Sequence, residues 1–165
     1  MSEISLRPLG SGDAAPVAAL IRAAFAAQSE VTDPPPSALR VTDKDIVTHL
    51  RSQGGGGVVA DVGGTLVGTA LWTEQDGGLY LGRLAVLPHW RRRGVAHALV
   101  AAAETAARGR GLPVIRLSTR LALLDNRRLF AACGFVETTR EAHPGHIEPT
   151  FVNLEKRLSW APGPG

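Results

Sequence analysis

A single mixed α/β (α+β) domain is the fold class that the sequence predicts, and three observations predict it. The length of 165 residues suits one domain rather than several. Hydrophobic residues at 44% and charged residues at 20% leave enough apolar material for a buried core and exclude disorder over most of the chain. Apolar periodicity switches between strand and helix spacing in the order β-α-α-β-β-β-α-β-α-β-β, with no shift of composition to mark a second domain. The domain is assigned to 1–160, and Ala161 to Gly165 read as a frayed tail.

Ile4 to Leu6 alternates apolar and polar residues as a first strand. Ser11-Gly12-Asp13 supplies N-cap chemistry ahead of an Ala-rich pattern from Val17 to Ala27, the first helix. Asp33-Pro34-Pro35-Pro36 forbids helix or central strand, so a loop runs to about Arg40. Thr42, with Asp45 at the capping-box position, opens a second helix that ends near Gln53. Val58–Val62 and Thr65–Trp72 flank Gly63-Gly64 as a hairpin. Asp76-Gly77-Gly78 turns the chain into Leu79–Leu87, a run too uniformly apolar for a one-sided edge strand and therefore central, which Pro88 ends. Val95, Leu99, Ala102 and Ala106 recur at helical spacing up to Gly109 or Gly111. Val114–Ser118 is a strand, Asp125 or Asn126 caps a short helix through Ala132, and Phe135–Thr138 and Phe151–Glu155 close the domain around a turn at 144–145.

Composition narrows the function classes. The lone Cys133 forms no internal disulfide and no apolar leader precedes a cleavage site, which points to a reduced, cytoplasmic protein. The longest uncharged apolar stretch, Val95 to Ala103, is far short of the roughly 20 residues a membrane span needs. The net charge is +3, yet Lys44 and Lys156 are the only lysines, so the basic side chains are almost all arginine. Arginine suits bidentate recognition of phosphate oxygens, and its densest cluster is Arg91-Arg92-Arg93. Trp72, Trp90 and Trp160 are too scattered for a base-stacking platform, which with the small net charge argues against a nucleic-acid partner.

Two glycine-rich segments resemble phosphate loops without being them. Gly10-x-Gly12-x-x-Ala15 is followed by Asp33 about twenty residues on, but Asp33-Pro-Pro-Pro stands where a dinucleotide fold needs its second strand. Capping by Asp13 accounts for the segment. Gly54 to Gly57 lacks the Gly-Lys-Ser/Thr ending of a P-loop. Glu141, His143, His146 and Glu148 cluster at the closing turn, but one flexible loop rarely supplies a preorganised metal shell, so no metal is expected; the loop reads better as substrate-facing, with a titratable histidine.

The informative stretch is Leu84-Ala85-Val86-Leu87-Pro88-His89-Trp90-Arg91-Arg92-Arg93-Gly94-Val95-Ala96. A central strand enters a tight turn that opens a helix, whose first N–H groups have no intrahelical acceptor. Orphan donors, the positive helix end and three arginines meet at one point, and Gly94 permits close backbone approach, an arrangement suited to a pyrophosphate.

Arg91-x-x-Gly94-x-Ala96, preceded by Leu84-Ala85-Val86-x-Pro88, closely resembles the Q/R-x-x-G-x-G/A signature of the GNAT acetyltransferase superfamily. Asn126 to Phe135 resembles the second recurrent segment of that family, which commonly ends in Tyr-x-x-x-Gly-Phe. The resemblance implies a mostly antiparallel mixed sheet of about seven strands, splayed at the fourth and fifth and flanked by about four helices. It implies acetyl-CoA as cosubstrate, its pyrophosphate cradled by main-chain N–H groups from Arg92 through Arg93, Gly94 and Val95 to Ala96, with Arg91 and its neighbours adding charge. Backbone groups of Leu84, Ala85 and Val86 would take the pantetheine arm, with the Leu84 N–H polarising the acetyl carbonyl in an oxyanion-hole role. Asn126 is either a pantetheine contact or only a helix cap, and Phe130 lines the cofactor site.

The implied chemistry is direct attack of a neutral amine, on a small molecule or an amino terminus, upon the thioester, aided by a base and an acid. The sequence departs from the family at the acid, because Phe130 occupies the usual tyrosine position and donates no proton. Tyr80 lies four residues before Leu84, on the same strand face by simple alternation, where some relatives carry a glutamate base; packing is its plainer role. A non-catalytic acyl-CoA-binding or regulatory module of the same fold stays open on account of Phe130. A basic nucleic-acid-binding domain is the remaining alternative, and a homodimer is compatible with the sequence. The acceptor site is expected in the variable segments 28–41 and 141–149.

Overall fold

The computed structural model describes residues 3–28 and 32–159, so the expected tail at 161–165 and Trp160 lie outside the described residues. Seven strands form one sheet in the order β1-β2-β3-β4-β5-β7-β6. They are β1 (Ser5–Pro8), β2 (Gly56–Val62), β3 (Thr65–Gln75), β4 (Gly78–Val86), β5 (Val114–Arg120), β6 (Val136–Glu141) and β7 (Phe151–Arg157). Four α-helices complete the fold: α1 (Ala14–Ala26), α2 (Asp43–Arg51), α3 (Val95–Gly109) and α4 (Leu124–Ala132). Every neighbouring pair of strands is antiparallel except β4 and β5, which run parallel.

Two apolar layers hold the helices to the sheet. Leu9, Val17, Ile21, Ile46, Val59, Leu71 and Ala85 join α1 and α2 to one face. Val67, Leu79, Leu99, Ile115, Phe130 and Leu154 join α3 and α4 to the other. The buried line of α3 is Val95, Leu99, Ala103 and Ala107, with Ala102 and Ala106 on its shoulder. Alanines let this helix ride low on β3, where a Cβ added at Gly68 would stand 2.9 Å from Val95 Cγ1.

Local signals mostly act where the sequence places them. Thr42 and Asp45 form the reciprocal capping box of α2. Gly63-Gly64 and Asp76-Gly77 turn their hairpins with positive φ at both central residues, as the right-handed strand twist favours. Two caps differ. Asp13 does not cap α1 through its side chain; its carboxylate accepts the Gly10 N–H at 2.9 Å and both arms of the Arg7 guanidinium at 2.7 and 2.8 Å. Asp125 and Asn126 do not cap α4 either, because Leu123 occupies the N-cap and both polar residues fall inside the first turn.

The feature that positions the site is the junction of β4 and β5. Only Leu79 with Ile115 and Tyr80 with Arg116 are paired before the strands part. Beyond that point β4 stays on β3 and β5 stays on β7, and a wedge opens between them.

Candidate active site

Backbone geometry decides what β4 offers to this wedge. The Leu87 N–H donates to the Val67 carbonyl at 2.9 Å, so the polar groups of Leu87 face β3. Antiparallel pairing alternates, and the N–H and C=O of Leu84 and Val86 therefore turn away from β3 into the opening. The Val86 carbonyl is already occupied by Arg91 Nε at 3.2 Å, which leaves the Val86 N–H and both groups of Leu84.

The wedge leads to the start of α3. Arg92 and Gly94 both take left-handed conformations, at φ of 63° and 83°. The Ala98 N–H is the first to bond back, to the Gly94 carbonyl at 3.0 Å. Among the described residues, none of the main-chain N–H groups from Arg92 through His97 finds an acceptor. A Cβ at Gly94 would meet no atom within 4 Å, so the loop is open on that side. A row of unpaired N–H groups at a positive helix end is a cradle for a phosphorylated group.

The three arginines divide their work. Arg91 Nη2 donates to the Ala24 carbonyl at 2.9 Å and, with its bond to Val86, ties the end of β4 to the last turn of α1. Arg92 and Arg93 are exposed, and the Arg93 guanidinium stacks over Trp90 at 5.2 Å from the ring centre.

A cavity of about 460 Å³ fills the wedge, lined among others by Leu84, Asn126, Phe130, Arg83, Arg120 and His143. Phe130 is buried and meets Phe135 edge-on, with ring centroids 5.8 Å apart. Asn126 also lines this cavity. Of the variable segments 28–41 and 141–149, Pro36 and Ser37 from the first and Ala142, His143 and Pro144 from the second line this cavity. His146 Nε2 stands 3.4 Å from Asp33 Oδ2 across the same gap.

Tyr80 is not on the face of Leu84. Leu71 pairs with Arg83 and Trp72 with Leu81, so Gly82 is bulged out and the alternation slips by one residue. Leu84 packs on the α3 side, whereas the Tyr80 hydroxyl lies 3.5 Å from Ser118 Oγ, which donates to Asn153 Oδ1 at 2.6 Å. The hydroxyl still borders the cavity.

Besides Tyr80, three cavity residues carry charge or a titrating ring, and the motifs did not pick out two of them. Arg83 and Arg120 are both held below the ordinary guanidinium value by burial. Arg83 had one available signal: it is the charged residue in an otherwise apolar central strand. His143 contacts Thr150 Oγ1 and packs edge-on against Phe151 at 4.9 Å. Burial, then the positive Arg120, then His146 hold its imidazole below the usual histidine value. It is neutral at pH 7, with a lone pair to offer.

A family model described as the acetyltransferase (GNAT) family matches residues 19–135. The chain belongs to the acetyltransferase (GNAT) family. Solved GNAT structures share its whole architecture. The GCN5-related N-acetyltransferase from Rhodopseudomonas palustris superposes with a TM-score of 0.77 at 23% identity, covering 96% of this chain and 98% of that one. The PaiA N-acetyltransferase from Thermoplasma acidophilum, in complex with coenzyme A, gives 0.75 at 18% identity over 94% and 99%. The acetyltransferase of the GNAT family from Streptococcus pneumoniae gives 0.74 at 15% over 95% and 100%. A search of curated protein sequences gives no match. Among the described residues no helix is long and apolar enough to cross a membrane, and no group of three or more His, Cys, Asp or Glu is arranged to hold a metal ion. Cys133 ends α4, where burial pushes its thiol up, away from the reactive thiolate form.

Proposed function

We propose that the protein is a cytoplasmic, acetyl-CoA-dependent N-acetyltransferase that acetylates a primary amine of a small molecule or an amino terminus by direct attack in a ternary complex. The observation that carries this reading is the continuity of one backbone surface. The outward N–H groups of Leu84 and Val86 run into the acceptor-less N–H groups of Arg92 to His97 at the head of α3.

Acetyl-CoA supplies an activated acyl thioester. The N–H groups of Arg92, Arg93, Gly94, Val95 and Ala96 hold its pyrophosphate, with Arg92 and Arg93 adding positive charge. Asn126 and the Val86 N–H line the pantetheine arm. The Leu84 N–H points where negative charge develops on the acyl oxygen, and it is fixed before the reaction starts. His143 accepts the proton that the attacking amine must lose, since among the described residues no carboxylate lines the cavity. Phe130 returns no proton to sulfur. A thiol of ordinary pKa, about 8.5, leaves tolerably as a thiolate near neutral pH, so Phe130 slows the step without forbidding it.

Phe130 is also the observation that favours a second reading, a CoA-binding module without turnover. Calorimetry of the full chain with acetyl-CoA, followed by thiol release on a panel of primary amines, separates them. Binding with amine-dependent thiol release supports the enzyme, binding without release on any amine supports the module, and no binding overturns both.

A further inference from the structure

Deep in an acceptor cavity, a charged side chain without a counterion is costly, because a partly desolvated charge needs an opposite charge or a full set of hydrogen bonds. Among the described residues, the ionisable side chains lining this cavity are Tyr80, Arg83, Arg120 and His143, and no carboxylate is among them. Several arginines elsewhere hold carboxylates, among them Arg7 on Asp13 at 2.7 Å, Arg110 on Glu74 at 3.0 Å and Arg127 on Glu137 at 2.8 Å. The two cavity arginines have only neutral partners among the described residues. Arg83 Nη2 donates to Ser37 Oγ at 2.8 Å, and Arg120 Nη1 donates to the Pro34 carbonyl.

The carboxylates whose charge reaches them are engaged elsewhere. Asp45 accepts the Thr42 N–H at 2.9 Å in the capping box of α2, and Asp33 faces His146. Each guanidinium has five donors in a planar fork, and each spends one of them on the protein. Both residues line a cavity of about 460 Å³, a volume for a small molecule.

We propose that the acceptor is a small amine that also bears a carboxylate or phosphate, and that Arg83 and Arg120 bind this anionic group. The proposal rests on the acetyltransferase reading above and names the substrate class of that site. The anion replaces the missing counterion and fixes the distance from the charged group to the nucleophile. The same two cations disfavour the ammonium form of the amine nearby, which raises the fraction of neutral nucleophile and eases the task of His143. A diamine has neither advantage, because its second cation meets two guanidinium groups.

The test is a set of matched amine pairs given to the full chain with saturating acetyl-CoA, read as kcat/KM from thiol release. Alanine is paired with ethylamine, phenylalanine with phenethylamine, 4-aminobutyrate with propylamine, and phosphoethanolamine with ethanolamine; the first three pairs probe carboxylate and the last phosphate. The expected result is that the anionic member of at least one pair leads by roughly 10- to 100-fold, the range of a charge-assisted hydrogen bond. Arg83→Gln and Arg120→Gln should each raise KM for that substrate and shrink its lead over the partner without the anionic group, with acetyl-CoA affinity unchanged. Arg83→Lys should restore part of the lead, which loss of a merely structural strut would not reproduce. Members without the anionic group that react as well as or better than those with it overturn the proposal while leaving the acetyltransferase reading intact, as does a lead that survives both Gln variants. If acetyl-CoA binds and no member of any pair releases thiol, the acetyltransferase reading falls and takes this proposal with it.

Discussion

The two sides of the wedge are built from different materials. The side proposed for the cofactor is main chain: the outward N–H groups of Leu84 and Val86 and, among the described residues, the unpaired row from Arg92 to His97. The side proposed for the acceptor is side chain, with Arg83, Arg120 and His143 on a strand, a strand end and a loop. A backbone surface recognises what every acyl-CoA has in common and tolerates most side-chain changes. A side-chain surface is specific to one acceptor and changes when three residues change. One fold can therefore keep its donor while its acceptor varies.

Breaking the backbone side should have the largest effect. Leu84→Pro removes an N–H that β3 does not use, so the ladder survives while the donor to the acyl oxygen is lost. We expect kcat to fall about 10²- to 10³-fold with acetyl-CoA affinity retained, whereas Leu84→Ala, which keeps the N–H, should lose far less. A thermal melt beside the kinetics checks that the strand is intact.

Gly94→Glu attacks the same side at its far end. The substitution forces a side chain into a left-handed position at φ 83° and sets a carboxylate beside the proposed pyrophosphate cradle. Acetyl-CoA affinity measured by calorimetry should drop on the order of 100-fold, about 3 kcal/mol. Unchanged affinity would move the cofactor away from α3.

The acceptor side should respond in pH dependence rather than in cofactor binding. The folded-state value of His143 lies below its ordinary 6.5, so the ring is neutral at pH 7 and gains its proton only at lower pH. The rate should stay level from neutral pH down to about 6.5 and fall only beneath it. His143→Gln should lower kcat by roughly 30- to 100-fold and abolish that acidic limb. The same depression makes His143 a stabilising group above its unfolded value, and that contribution is lost as pH falls through its folded one. A pH–rate profile of wild type and variant settles the assignment.

The smallest expected change is a gain. Phe130→Tyr places a proton donor at a ring that borders the cavity, and kcat should rise about tenfold with acetyl-CoA affinity unaltered. A variant that leaves kcat flat would show that sulfur departs without need of an acid.

The same contrast explains what could be read from the residues alone. Backbone surfaces demand small or left-handed residues at fixed spacing, so Arg91-x-x-Gly94-x-Ala96 was visible as a motif, and the hairpin glycines marked the strands between them. The parting of β4 from β5 came from family resemblance, because strand pairing far apart in sequence leaves no local mark. The Gly82 bulge was invisible for the same reason; strict alternation put Tyr80 beside Leu84, and one extra residue sends it to the opposite face. Arg91 carried a charge that suggested an anion, and two of its five donors also go to main-chain carbonyls, a tie that no local pattern marks. Arg83 and Arg120 stand 37 positions apart in sequence and line the same cavity only because β4 and β5 both border it.

The most direct measurement is amide chemical-shift mapping of the full chain as CoA is titrated in. The account predicts that the large shifts fall on the N–H groups of Arg92 to His97 and on Leu84 and Val86. Largest shifts at a smaller cavity of about 260 Å³ lined by Arg116, Asn153 and Glu155, or no shifts at saturating CoA, would contradict it.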